Sequence, residues 1–212
     1  HEIRNPLGGI EIYAGLIAED LPDVDERKQH ILKVIQEVRK LDQVISEFLS
    51  FARPAPPVAE RVGLAGLVAD AAFLLAPDME RANVTYRAEI GQELVVFADP
   101  EQIKRALFNL MKNAVQAMRH GGLLVVRARA LRDEVLIEVI DNGPGISAQA
   151  RARLFEPFFT TREKGSGLGL AVVWQTVEEN GGRLDVQSVE DEGTTVGMYL
   201  PSVDRGLSVG IE

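Results

Sequence analysis

The stretch LLVVRARALRDEVLIEVIDNGPGI, residues 123–146, reads as two apolar strands joined by a turn at Arg132 and Asp133, with the second strand running into a glycine-rich loop. Short runs rich in β-branched residues, bounded by polar turn residues, favour pleated backbone, and the spacing predicts strands at 123–131 and 134–140. Asp141 then stands at a strand end, where a carboxylate can accept a hydrogen bond from an amino group. Gly143 and Gly145 permit torsions and close ligand approach that a side chain would block. Asn-Gly and Pro-Gly are also common turn dipeptides, so the same loop reads equally as a plain β-turn.

Working outward, a helical period predicts a helix from about Pro100 to His120, and it carries NLMKNA at 109–114. Upstream lie a helix near 64–76 and strand-like VTYRAEI at 84–90 and LVVFAD at 94–99. Downstream, a polar, glycine-rich stretch over 142–166 leads through GSGLGL at 165–170 into a helix from about Leu168 to Asn180, then strands at 183–189 and 194–200. Helices and strands distributed in this way imply an α/β sandwich. The PAPP at 54–57 cannot continue a helix and marks a domain boundary.

Before that boundary the period is helical throughout. Ile3, Leu7, Ile10, Ala14, Ile17 and Leu21 form one stripe, and a second runs from Ile31 to Leu49, with PDVD at 22–25 as the turn between them. A helix from Glu26 to Arg53 would be roughly 40 Å long, and two such helices make an antiparallel hairpin. A lone hairpin leaves an apolar flank of each helix wet; at about 2 kcal/mol per buried Leu or Ile, that flank is expected to pair with a second copy as a four-helix bundle. The fold class is therefore α+β: a dimerising hairpin over 1–53, a linker over 54–60, a sandwich domain over 61–204 and a tail over 205–212.

The 212 residues are 46% hydrophobic and 26% charged, ordinary values for a soluble globular protein. No apolar run reaches membrane-spanning length, so this stretch is expected to be soluble, and the absence of cysteine excludes disulfides and thiolate chemistry and suits a reducing cytoplasm. A formal charge of -9 argues against a nucleic-acid binder. Any phosphate contact must be local.

Three further segments can carry chemistry. In HEIRNPL, at 1–7, neutral imidazole presents a nucleophilic lone pair at His1, and Asn5 shares its helix face at i+4. Glu2 can accept the ring proton, while Pro6 lacks the amide that would bond the Glu2 carbonyl and is expected to bend the helix there. In NLMKNA, Asn109 and Asn113 project from one helix face, and an amide carbonyl there can hold Mg²⁺ while a triphosphate supplies the remaining charge. GSGLGL sets free amides and the positive end of a helix dipole where phosphate oxygens can sit. It lacks the Lys-Ser/Thr of a P-loop and follows no strand, which disfavours the two commonest nucleotide folds.

The order HEIRNPL, NLMKNA, DNGPGI, GSGLGL resembles that of the sensor histidine kinases of two-component signalling, over nearly the whole chain from His1 to about Pro201. The resemblance implies a gyrase-like ATP-binding domain, with ATP and Mg²⁺ as cofactors, and a chain working as the cytoplasmic kinase core of a homodimer. It implies that His1 accepts the γ-phosphoryl of ATP, that Glu2 assists as base, that Asn5 serves dephosphorylation of the partner, and that the phosphoryl passes to an aspartate of a response regulator. It further implies a nucleotide site of Asn109, Lys112, Asn113 (the metal ligand), Asp141 on the adenine amine, Gly143, Gly145, Ile146, Phe155, Gly165, Gly167, Leu168, Gly169 and Leu170, with Thr195 or Thr194 supporting Asp141.

Phe155, Phe158 and Phe159 read as anchors of a lid, whereas Trp174 and the methionines read as structural. Gln116 stands where the family often carries a basic residue, leaving phosphate neutralisation to Lys112, Arg162 or Lys164. HEIRNPLGGIE is most similar to kinases of the nitrogen-regulation type. Because the phosphoacceptor helix of that family extends upstream of its histidine, a preceding sensor and linker are expected. Two rival readings follow from the glycine boxes alone: a stand-alone gyrase-like ATPase, or a nucleotide-holding scaffold or phosphatase that does not phosphorylate itself.

Overall fold

A computed structural model describes residues 3–52, 56–91, 93–162 and 165–202, and the chain divides into two compact units, His1–Pro54 and Ala55–Glu212.

The first unit is a hairpin of α1 (Arg4–Asp20) and α2 (Glu26–Ala52). Its seam is narrow: Ala14 and Ala18 pack against Ile35 with Ile31 beside them, small residues that let the helices approach. The turn is tied by Asp25, whose Oδ1 accepts the Arg27 amide at 2.9 Å and caps α2. The Arg27 guanidinium on that carboxylate lowers its pKa to about 2. Lys28 reaches back to the Leu21 carbonyl and the Asp23 carboxylate. Pro6 sits in the first turn of α1, where its missing amide hydrogen breaks no bond among the described residues; the bend expected at Glu2 lies outside them.

The second unit is a two-layer sandwich. A five-stranded sheet runs in the order β2 (Val84–Ile90), β4 (Gly122–Ala130), β5 (Glu134–Asp141), β7 (Gly193–Pro201), β6 (Arg183–Val189), with β2 parallel to β4 and the other pairs antiparallel. Helices α3 (Leu64–Arg81), α4 (Pro100–Ala117) and α6 (Gly169–Glu179) pack against it through a core that includes Leu75, Ile103, Leu107, Met111, Leu124, Ile137 and Met198. A separate two-stranded ribbon pairs β1 (Glu60–Gly63) with β3 (Val95–Ala98).

The structure corrects several boundaries. α3 continues through Pro77 to Arg81 instead of stopping near 76, because its last turn still buries Met79. α4 ends at Ala117, not His120: Met118 leaves helical torsions, is itself buried, and donates its amide back to Ala114 and Val115. β1 starts at Glu60, the last residue of the expected linker. A four-residue helical turn, α5 (Ala148–Arg151), interrupts the glycine-rich stretch, capped by Ser147.

One polar node fixes α4. Asp99 caps it through the Gln102 amide at 3.0 Å and accepts the Val58 amide at 2.9 Å on its other oxygen. The Asp99 amide donates to Asn180 Oδ1 at 2.7 Å, while Asn180 Nδ2 donates to Gln102 Oε1 and to the Thr176 carbonyl. Burial pushes the Asp99 carboxyl up, and the amide bonds from Val58, Gln102 and Glu101 outweigh it, leaving the group below its ordinary value. Among the described residues no helix is long and apolar enough to cross a membrane.

Candidate functional site

Within the second unit, NLMKNA, the DNGPGI turn and the segment preceding the glycine box converge around the C-terminal half of α4. Asn109 and Asn113 are both half-buried on that helix. At the end of β5, Asp141 Oδ1 accepts the Gly143 amide at 2.9 Å, closing a tight turn that packs on Ala117 and Met118. A Cβ on Gly143 would meet Asp141 Oδ1 at 2.8 Å. Asn142, in the same turn, accepts the Leu123 amide at 2.7 Å and ties the loop to β4.

Gly145 has φ of +67°, and a side chain there would collide with the Val189 carbonyl. The Ile146 amide donates to Ser188 Oγ at 2.9 Å and the Asp191 amide to the Pro144 carbonyl at 2.8 Å, so the DNGPGI loop is docked on the turn between β6 and β7.

Burial raises the Asp141 carboxyl above the usual carboxylate range, with the Gly143 and Thr194 amides and the nearby Arg162 charge pulling the other way. Register separates the two threonines expected to support Asp141. Asp141 pairs in register with Thr194, so these two share a face, whereas Thr195 pairs with Ile140 and belongs to the opposite face. Thr194 is buried, and its hydroxyl is bonded to Ser188 Oγ at 2.9 Å.

The glycine box opens α6. Leu168 is fully buried at its N-cap and makes no side-chain cap bond, its amide donates to Ser166 Oγ at 3.3 Å, and Leu170 packs on the core. Gly167, at φ of +70°, lies against the Phe158 backbone and accepts its amide at 3.1 Å. A Cβ on Gly165 would meet Thr160 Oγ1 at 2.5 Å. Phe155 is half-buried, Phe158 is exposed and in the left-handed region, and Phe159 lies under the Arg153 guanidinium.

Of the three candidate cations, the structure brings Arg162 to Asn113. Its Nη1 donates to Asn113 Oδ1 at 3.2 Å and to Gln116 Oε1 at 2.5 Å, and its Nη2 donates to the Asn113 carbonyl at 2.8 Å. Lys112 instead stands over the Phe108 ring at 5.7 Å. Lys164 lies outside the described residues, as do His1 and Glu2; Asn5 is exposed in the first turn of α1. Among the described residues no group of three or more His, Cys, Asp or Glu side chains could hold a metal, so a cation here would depend on amide and phosphate oxygens. Sequence reasoning did not single out Asn142, Ser188 or Arg119, whose charge acts on Arg162; Asn-Gly after a strand was the usable signal for Asn142.

Comparison with known proteins agrees with this geometry. Residues 98–204 match the family described as histidine kinase-, DNA gyrase B- and HSP90-like ATPases, to which the chain belongs. Residues 1–57 match the His kinase A (phospho-acceptor) domain, and the two domains in tandem make the chain a member of the sensor histidine kinases of two-component systems. It is 36% identical over 202 residues to the sensor histidine kinase ZraS of Escherichia coli K12, covering 95% of this chain and 43% of that one. Against sporulation kinase E of Bacillus subtilis it is 32% identical over 207 residues, covering 95% and 27%. The chain therefore spans less than half the length of these relatives.

Full-length ShkA in complex with AMPPNP superposes at a TM-score of 0.80 with 27% identity, covering 95% of this chain and 44% of that one. ThkA in complex with the response regulator TrrA gives 0.73 with 25% identity, covering 97% and 60%.

Proposed function

We propose that this chain is the kinase core of a sensor in which ATP, bound with Mg²⁺ in the sandwich unit, gives its γ-phosphoryl to His1. The bond from the γ-phosphorus to the β,γ-bridging oxygen breaks, a phosphorus–nitrogen bond forms on the imidazole, ADP leaves, and the phosphoryl passes to an aspartate carboxylate of a response regulator. The observation that carries this reading is the gathering of Asn113, the Asp141–Gly143 turn and the segment preceding the glycine box around one end of α4.

The donor set suits a magnesium nucleotide. Asn113 offers a hard oxygen that already accepts a cationic group, Asp141 offers an acceptor for an exocyclic amine, and Gly143, Gly145, Gly165 and Gly167 let the loops fold tightly against the chain beside them. Asn109, Lys112, Ile146, Phe155, Leu168 and Leu170 complete the site by their places on α4 and the two loops. When bound, Mg²⁺ would neutralise the charge between the β- and γ-phosphates.

Glu2 serves as base toward His1. Asn5, exposed at i+4, serves removal of phosphate from the regulator as a second activity. The unit over 1–53 acts as a homodimer, since Ile10, Ile17, Leu41, Val44 and Phe48 are about half exposed on the hairpin. The core works in the cytoplasm, a reading supported by its cysteine-free composition. The AMPPNP complex of ShkA and the regulator complex of ThkA support the nucleotide and partner assignments by similarity.

The test is incubation with γ-labelled ATP and Mg²⁺, comparing this chain with His1→Gln and Asn113→Asp. Acid-labile, base-stable label lost in both variants is the expected result. Turnover of ATP that persists in His1→Gln with no label on wild type would instead favour a stand-alone ATPase.

A further inference from the structure

Arg162 stands where the nucleotide reading requires a metal. Its guanidinium engages Asn113 twice, through the side-chain oxygen at 3.2 Å and the backbone carbonyl at 2.8 Å, and is steadied by Gln116 Oε1 at 2.5 Å. A guanidinium keeps its charge at any accessible pH and has no acceptor, so the Asn113 carboxamide is oriented oxygen-first toward a full positive charge. Mg²⁺ binds oxygen at about 2.0–2.1 Å, and placed on that same oxygen it would face the guanidinium at close range as a like charge.

We propose that Arg162 and Mg²⁺ compete for the side-chain oxygen of Asn113, making Arg162 a latch that loading with metal and nucleotide must release. The proposal rests on the nucleotide reading and deepens it by naming the residue that sets the metal requirement. Gln116 is the keeper of the latch: a neutral acceptor holds the guanidinium, whereas a basic side chain at that position would repel it.

The contact also has a route to the phosphate loop. The Arg162 amide donates to Thr160 Oγ1 at 3.1 Å, and the Arg162 carbonyl accepts the Gly165 amide at 3.2 Å. Freeing the guanidinium therefore loosens the turn that precedes α6 and its glycine box. Two charges act on the Arg162 guanidinium, with Arg119 opposing it and Asp141 favouring it.

The test is titration calorimetry of AMPPNP into this chain over a series of Mg²⁺ concentrations, starting from chelator alone, for wild type, Arg162→Ala and Gln116→Ala. The Mg²⁺ concentration giving half-maximal binding is expected to fall about tenfold in Arg162→Ala, the order of factor that one charge-assisted hydrogen bond commands, and several-fold in Gln116→Ala. Weaker binding by Arg162→Ala at saturating Mg²⁺ would overturn the latch and make Arg162 a phosphate ligand; unchanged metal dependence in both variants would also overturn it. Wild type that binds no nucleotide at any Mg²⁺ concentration would overturn the nucleotide reading itself, and the latch with it. Because Gln116 is exposed, its variant should fold, and it gives a second readout without ligand: amides over 155–162 should exchange hydrogen faster in Gln116→Ala, and equal rates would count against the latch.

Discussion

Asp141 closes β5 directly opposite Thr194 of β7, on the same face of the sheet, and burial there raises its carboxyl above the usual carboxylate range. A carboxyl raised in the folded state is favoured in its protonated form. Its contribution to folding is complete below the unfolded value and is lost as pH climbs through the folded one. On the proposed role of Asp141, nucleotide binding should run in the opposite direction, because an adenine amine would need the ionised acceptor. Adenine-nucleotide affinity should therefore fall on acidification with a midpoint above that of an exposed aspartate, and Asp141→Ala should bind weakly with no such midpoint. Affinity titrations over a pH series check this, and a midpoint at or below the ordinary range would contradict the assignment.

The glycine box separates structural from chemical need. Gly167 has positive φ and lies against the Phe158 backbone, so Gly167→Ala should cost about 1–3 kcal/mol of stability. A methyl group on Gly169 would meet no atom within 4 Å, and in the first turn of α6 alanine should be neutral or stabilising by up to about 1 kcal/mol. If phosphate oxygens approach that turn closely, Gly169→Ala should keep its melting temperature yet lose nucleotide affinity. Melting and binding curves on both variants distinguish the two roles, and full affinity in Gly169→Ala would place the phosphates elsewhere.

The parts of this architecture that were legible in sequence are those with long periods. The two stripes of the hairpin and the alternating strands at 84–90 and 183–189 declare their own geometry. β1 did not, because four residues carry too little period to separate a strand from a linker. Thr194 could not be chosen over Thr195 without the register of β5 against β7, since a shift of one residue exchanges faces. Asn180 reads as an ordinary residue at a helix end, yet it joins α4 to α6 across 81 residues through Asp99. The bond between Arg162 and Asn113, 49 residues apart, depends on how an irregular loop returns to a helix, which no local pattern encodes.

The hairpin supplies the last prediction. Its own seam is built from Ala14, Ala18 and Ile35, while Ile17 and Leu41 remain 49% and 52% exposed. Burying each of those side chains against a second copy would contribute about 2 kcal/mol, and placing a carboxylate at either site would oppose it. The double variant Ile17→Glu with Leu41→Glu should leave helix content intact, since neither residue belongs to the buried seam. Light scattering should show wild type as a dimer and the variant as a monomer, and the variant should still bind nucleotide through the unit Ala55–Glu212. Transfer of phosphate to His1 in mixtures of the monomeric variant with Asn113→Asp would then report whether the reaction needs two protomers: loss of label on dissociation means the nucleotide unit of one copy serves the histidine of the other, and full labelling of the monomer means each chain serves itself.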